Sequence, residues 1–545
     1  MGGLDPVTID QEPRRGRLLG FVAVGIIVTA LVTLVARDAP SGESLAPPTP
    51  ATNGGTPTPM ASPSPPPGPE ILASPTATAA HDAATVLAVA NGATAEHGLV
   101  GDWPRARELP VYVANVTMGP ERRLLAADQV LVLRLARATD VVVLRFLPAA
   151  GALGVDPPFI TGAVDGEPAT LTMDPVAALL RIDLGRERPA GDPLMLRLSF
   201  RYSLVDADTL RGDGPIGYGL LSRDQHVSVL SHWLPLLTHD EGAVQPTGDL
   251  GSFPAAIWSL EVVHPGVLVT GGLEGPCKVA VDNCTRVVGA GLRDVGMLVI
   301  DDALVAESLA AGHRVRAVYR PDVSEADVEA VLAETVAALE FYTELFGDLA
   351  WSQTDIAGAP LSRGAAGMEY PGMFILRDDL WRSHDRAFGS YVIAHEVAHQ
   401  WFHALVGNSS LTDPVVDEAI AQYLSILFFA EQYGEAAASD LAAGMRNRYD
   451  EALADGLRSD PPAQALADFA SAAAYGALVY GRAPLAFVEA EEALGRAAVV
   501  AFLAELVAGH ALAELTDDAV LDLAREHDAD LGTIIERWWF DGTPS

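Results

Sequence analysis

The sequence predicts an α+β chain with two globular domains: an N-terminal antiparallel β domain, sheet or sandwich, and a mostly α-helical domain after it. Three observations carry this prediction. Short apolar runs with two-residue alternation recur between turn residues from 86 to 321, and no long amphipathic helix interrupts them. From 323 onward the apolar spacing changes to that of helices, and Ala, Leu and Glu dominate. Of the 38 prolines, 12 fall between 38 and 80, which separates the globular part from what precedes it. At roughly 100 to 200 residues per domain, the chain has room for two to four.

Residues 1–17 precede LLGFVAVGIIVTALVTLVA (18–36), an uncharged run of 19 residues. At about 1.5 Å per residue it can cross a hydrocarbon core of about 30 Å. Arg14, Arg15 and Arg17 lie just before it, and after Arg37 the next basic residue is Arg105. The positive-inside rule therefore places 1–17 in the cytoplasm and the remainder outside, as a single-pass protein of the cell membrane. An uncleaved anchor is expected, because a signal peptide has an apolar region of about 7 to 15 residues and a small-residue cleavage site, which LVARDAP does not clearly offer. The Pro-, Ser- and Thr-rich stretch 37–85 reads as a disordered tether. Asp plus Glu outnumber Lys plus Arg by 72 to 35, and a charge of −37 repels a phosphate backbone, so no nucleic-acid partner is expected.

In the β domain, 86–321, the runs VLVLRL (130–135), VVVLRF (141–146), LLRIDL (179–184), LMLRLSFRY (194–202), IWSLEVV (257–263) and VRAVYR (315–320) read as strands. His232 and Trp233 read as a buried aromatic pair at a turn rather than as ligand contacts. Cys277 and Cys284 sit among the turn residues Gly275, Pro276, Asp282 and Asn283, and in an oxidising compartment they are expected to form one disulfide. The second domain, 322–545, opens with Ser324 and Asp327 as the cap of a helix running to about 345. Val328, Val331, Leu332, Val336, Leu339 and Leu345 give that helix its apolar face.

SYVIAHEVAHQWFHALVG (390–407) reads as a helix that stops at Gly407 and Asn408. On it His395 and His399 lie one turn apart with both imidazoles on one face, a pair able to hold one metal. Glu396, offset by one position, can point at the metal's water as general base. Asp413 and Pro414 read as the cap and first residue of the next helix, with Glu418 one turn inside it. A tight turn between the helices returns this carboxylate to the histidines, and two His, one Glu and a water make the open tetrahedral site of a hydrolytic zinc centre. The expected cofactor is one Zn2+ per chain, the best fit for imidazole and carboxylate donors without thiolate.

HEVAHQWF with Glu418 eighteen residues on resembles the gluzincin zinc aminopeptidases of the aminopeptidase N and leukotriene hydrolase family. GMEYPG (367–372) is similar to that family's exopeptidase motif, with Tyr370 at the usual Asn position. The resemblance implies substrate binding at Gly367, Met368 and Glu369, with Glu369 on the free α-amino group of a peptide. Without it, Glu369 reads as an ordinary surface carboxylate. VYGRAPLAF (479–487) resembles the family's tyrosine segment and implies that Tyr480 stabilises the oxyanion, with Tyr475 competing for the role. The resemblance implies a saddle-like N-terminal β domain, a thermolysin-like catalytic domain and peptides with a free N-terminus as substrates. Larger members continue into a β-sandwich and a helical roof, whereas this sequence ends at ERWWFDGTPS (536–545), so an unroofed cleft is expected. The alternatives are an unroofed zinc endopeptidase and a non-catalytic surface-binding protein on the same scaffold.

Overall fold

The structure, a computed structural model, describes residues 109–542 apart from 208–219, 246–247, 249–250, 252, 279–280, 362–363 and 383–385. The expected membrane span and tether lie outside the described residues. Among those described, no helix is long and apolar enough to cross a membrane.

Each of the six apolar runs falls on a strand, three of them running one residue past its end. In Pro193–Ser203 the alternation is plain: Leu194, Leu196, Leu198, Phe200 and Tyr202 are buried, while the residues between them are exposed or half-buried. This strand belongs to an eight-stranded sheet ordered Leu273–Pro276, Cys284–Leu292, Ala256–Val263, Val111–Met118, Leu124–Arg134, Pro193–Ser203, Phe159–Val164, Glu167–Pro168. Its pairings are antiparallel except between Val111–Met118 and Ala256–Val263. Two smaller sheets, of five and four strands, complete the N-terminal β region. Leu273–Pro276 and Cys284–Leu292 form a hairpin, and a Cys277–Cys284 disulfide closes its end.

A second five-stranded sheet runs across position 321. Its order is Leu304–Ala310, His313–Tyr319, Gln353–Ala359, Met373–Arg377, Gly367–Tyr370. His313–Tyr319 and Gln353–Ala359 are parallel, joined by helix α1 (Glu325–Phe346) as the crossover. The Ser324 hydroxyl accepts from Asp327 N and starts α1 as its sequence predicts. The three later strands leave little period-two signal because Gln353–Ala359 and Met373–Arg377 are buried on both faces. Helices α2 (Arg386–Ala398), α3 (Val415–Tyr433) and α4 (Glu435–Ala454) follow. From Val415 to Ala430 every residue of α3 is buried, so it is the central helix against which the site is built. One continuous apolar core reaches from Tyr112 in the first sheet to Trp539 near the C-terminus.

Candidate active site

Helix α2 ends at Ala398, well short of the stop expected at Gly407. His399 N still donates to His395 O at 3.2 Å, so the two histidines share a turn. Beyond them the chain opens into a wide turn: Ala404 N donates to His399 O at 3.0 Å, Leu405 N to Gln400 O at 3.2 Å and Val406 N to Trp401 O at 2.9 Å. Within it His403 takes φ 134°, a left-handed-side conformation that favours glycine. Asp413 does not cap α3; its Oδ1 accepts from Asp517 N at 3.0 Å, and the helix opens at Val415 with Pro414 in the cap position.

His395, His399 and Glu418 are all buried and converge. The two Nε2 atoms are 3.1 Å apart, and Glu418 Oε2 lies 3.2 Å from the first and 3.6 Å from the second. His399 Nδ1 donates to Phe402 O at 3.0 Å, which turns the Nε2 lone pair towards the cluster. Two imidazole nitrogens cannot satisfy one another, and Glu418 Oε2 is buried outside hydrogen-bond geometry. A cation resolves all three, since tetrahedral zinc ligands at about 2.0 to 2.2 Å from the metal stand roughly 3.3 Å apart.

Electrostatics within the cluster follow from burial and crowding. Burial lowers the His395 pKa, and His399 beside it adds to the effect. Burial also opposes charge on His399, but the Glu369 and Glu418 carboxylates outweigh it and hold that pKa well above the ordinary histidine value. Against the same burial, the two imidazoles pull Glu418 far below the usual carboxylate range. Glu396 moves the other way, pushed well up by burial and by the charge of Glu369.

Glu396 packs on the strand Gly367–Tyr370, where a Cβ at Gly367 would overlap its Oε1. The strand is held to the wide turn by Gln400, whose Nε2 donates to Tyr370 O at 3.0 Å and whose Oε1 accepts from Gly372 N at 2.9 Å. Alternation along the strand sends the Met368 side chain into the core, so only its backbone is left for a substrate. Glu369 is buried rather than a surface residue, and it lines a small cavity with His232, Phe253, Asp294, Tyr370 and His403. Tyr480 sits in a π-helical segment, Leu478–Arg482, and its hydroxyl donates to Glu418 Oε1. Tyr475 packs edge-on to it at 5.7 Å between ring centroids and against Phe469 at 5.2 Å, so Tyr480 is the phenol that reaches the cluster.

Sequence reasoning missed Gln400, His403, Asp417 and Asp294, and the role of His232 beside them. Gln400 clamps the strand. His403 Nδ1 donates to Asp417 Oδ2 at 3.0 Å and stands 4.0 Å from Glu369 Oε1. From the β region, His232 is buried at a turn as read, but its Nδ1 is also 2.8 Å from Asp294 Oδ2 on the wall of the Glu369 cavity. The available signals were a third histidine four positions after His399 and an aspartate directly before Glu418.

Comparison with known proteins agrees with this geometry. Residues 331–538 match the family described as the peptidase family M1 domain. Leukotriene A-4 hydrolase of Xenopus laevis is 33% identical over 103 residues, a match spanning 19% of this chain and only 17% of that protein. An M1 zinc metallopeptidase of Deinococcus radiodurans superposes with a TM-score of 0.58 at 19% identity, covering 79% of this chain and 93% of that one. A mutant of the same metallopeptidase bound to a Tyr-Ser-Ala substrate gives 0.57 at 18% identity, with 79% and 94% covered. At such identities the structures establish the shared fold. Residues 331–538 thus match the peptidase family M1 domain, and most of the chain shares the fold of an M1 zinc metallopeptidase.

Proposed function

We propose that this chain is a zinc aminopeptidase, holding one Zn2+ between His395, His399 and Glu418 and releasing the first residue of peptides with a free N-terminus. The convergence of those three side chains carries the reading. Zinc at such a site supplies Lewis acidity towards a peptide carbonyl and an attacking water. Glu396, offset by one position from His395 and buried beside the cluster, takes the proton of that water and returns it to the leaving amine. The Tyr480 hydroxyl, already among the cluster's atoms, donates to the oxyanion as the carbonyl becomes tetrahedral. Glu369, buried in the strand Gly367–Tyr370 and lining the small cavity, accepts from the substrate ammonium and so sets the distance to the scissile bond. The apolar run 18–36, the arginines before it and a disulfide suited to an oxidising compartment support an anchored, extracytoplasmic enzyme.

A panel of amino-acid amides and their N-acetylated counterparts, assayed on the full chain with and without chelator, tests this. Free amides should be cleaved, acetylated ones spared, and chelator should abolish both zinc content and turnover. Glu396→Gln should keep its zinc and lose about 10²- to 10⁴-fold in kcat. Equal cleavage of blocked peptides would make the chain an endopeptidase, and a metal-free purified protein would leave only a binding role. Activity released from membranes by an alkaline carbonate wash would remove the anchor.

A further inference from the structure

The cavity beside the zinc cluster contains a second carboxylate–imidazole group that hydrolysis at the metal does not use. We propose that His403, held by Asp417, is a positioning residue for the amine end of the substrate: it fixes the Glu369 carboxylate in the orientation that accepts a terminal ammonium. This rests on the reading of Glu369 given above.

Three observations support it. First, Asp417 is rigid: its Oδ1 accepts from Asn408 Nδ2 and from Glu418 N, each at 2.9 Å, and it is buried in the first turn of α3. Its Oδ2 accepts from His403 Nδ1 at 3.0 Å, so the imidazole is oriented by a fixed anchor. Second, the same Nδ1 stands 4.0 Å from Glu369 Oε1, which places the ring against the carboxylate whose orientation decides amine binding. Third, His403 adopts φ 134°, which strains any residue with a β-carbon. The wide turn would be more relaxed with glycine there, so the imidazole is kept at a cost in backbone energy.

The chemistry fits an ammonium. Such a group offers three N–H donors and no acceptor, while ionised Glu369 offers acceptors only. His232 and Asp294, joined at 2.8 Å, also line the cavity and add a second carboxylate-oriented ring. An acetylated terminus brings a carbonyl acceptor and extra volume to this closed end and is disfavoured on both counts. A cation at Glu369, His403 and Asp417 in place of the substrate amine is the competing occupant, since their ligand atoms also lie within 4.8 Å of one another.

The test uses His403→Gly, which the backbone conformation accommodates, alongside His403→Gln and Glu369→Gln in the full chain. Alanine p-nitroanilide and propionyl p-nitroanilide, which lacks the amine, are the paired substrates, and zinc content and thermal midpoint are measured on each variant. His403→Gly should keep one zinc, and its midpoint sets the relief of backbone strain against the hydrogen bond lost by Asp417. Its preference for the amine-bearing substrate should fall about 10- to 100-fold, mainly through KM, and His403→Gln should recover part of it. An unchanged preference in His403→Gly with a lost preference in Glu369→Gln would overturn the role of His403 alone. Preference retained in both variants would remove the amine site itself. Equal losses on the two substrates, or a second equivalent of metal that disappears with His403, would also overturn the proposal.

Discussion

Gly367 shows how one missing atom sets the position of the Glu396 carboxylate. Glu396 lies across it, and any β-carbon there would occupy the space of the carboxylate. Gly367→Ala should therefore displace Glu396 without touching His395, His399 or Glu418. The expected result is full zinc content with kcat reduced about 10²-fold, because a shift of about 1 Å in a reacting group can cost that much. Wild-type turnover in the alanine variant would mean that the carboxylate does not work from this position. Residues of this kind mark the limit of what the sequence discloses. His395, Glu396 and His399 were legible because their geometry is local, fixed by a single helical turn. The contact between Gly367 and Glu396 is made by a strand and a helix distant in sequence, and no spacing rule encodes it.

At the scale of elements the same contrast holds. α1 was legible from its cap and apolar face because the helix carries its own periodic signal. The end of α2 was not: HALVG continues a helical pattern, yet the chain leaves the helix at Ala398 and forms the wide turn that carries His403. The strand His313–Tyr319 was legible, whereas its parallel neighbour Gln353–Ala359 was hidden by burial on both faces. That pairing gives a pH test. His313 Nε2 lies 2.8 Å from Thr354 Oγ1, and burial, opposed by Asp348, lowers its pKa from 6.5 to about 4. The unfolded chain takes up a proton near 6.5 and the folded chain only near 4, so the contribution of the neutral ring is complete above 6.5 and is lost as pH falls towards 4. The loss amounts to at most about 3 kcal/mol. His313→Asn should flatten the fall in urea midpoint between those pH values relative to wild type. Identical slopes for the two proteins would show that the ring titrates normally.

Across the whole molecule, Arg293 ties the β region to the part that carries the candidate site. Its buried guanidinium donates to Phe253 O at 3.0 Å within its own region, to Ala404 O at 3.0 Å and Leu405 O at 3.4 Å in the wide turn, and to Ala513 O at 2.5 Å near the C-terminus. Burial pulls its pKa down from 12.5 to about 10, with Glu514 opposing at 3.4 Å, so the group remains charged at neutral pH. Gly407 is fitted to it as Gly367 is to Glu396, since a β-carbon there would overlap the guanidinium. Glycines serve the same end where the two parts meet elsewhere: Gly271 abuts Pro371 and Gly372, and Gly296 lies under the Tyr370 ring. The β region thereby bears directly on the GMEYPG turn and on the turn carrying His403, which explains how residues as distant as His232 and Asp294 come to line the Glu369 cavity. Replacing Arg293 with Met fills the space but takes the guanidinium donor from Phe253 O and Ala404 O, while Leu405 O and Ala513 O keep backbone donors in Leu512 N and Gly407 N. The expected destabilisation is about 2 to 5 kcal/mol, from two buried carbonyls that each lose a donor at about 1 to 3 kcal/mol. Lysine, with three donors for more acceptors, should recover only part of it. Chemical denaturation followed separately by tryptophan fluorescence and by loss of activity decides the matter. Coincident transitions shifted to lower denaturant are expected for Arg293→Met, and a midpoint equal to wild type would show that the shared apolar core, not this guanidinium, holds the two parts together.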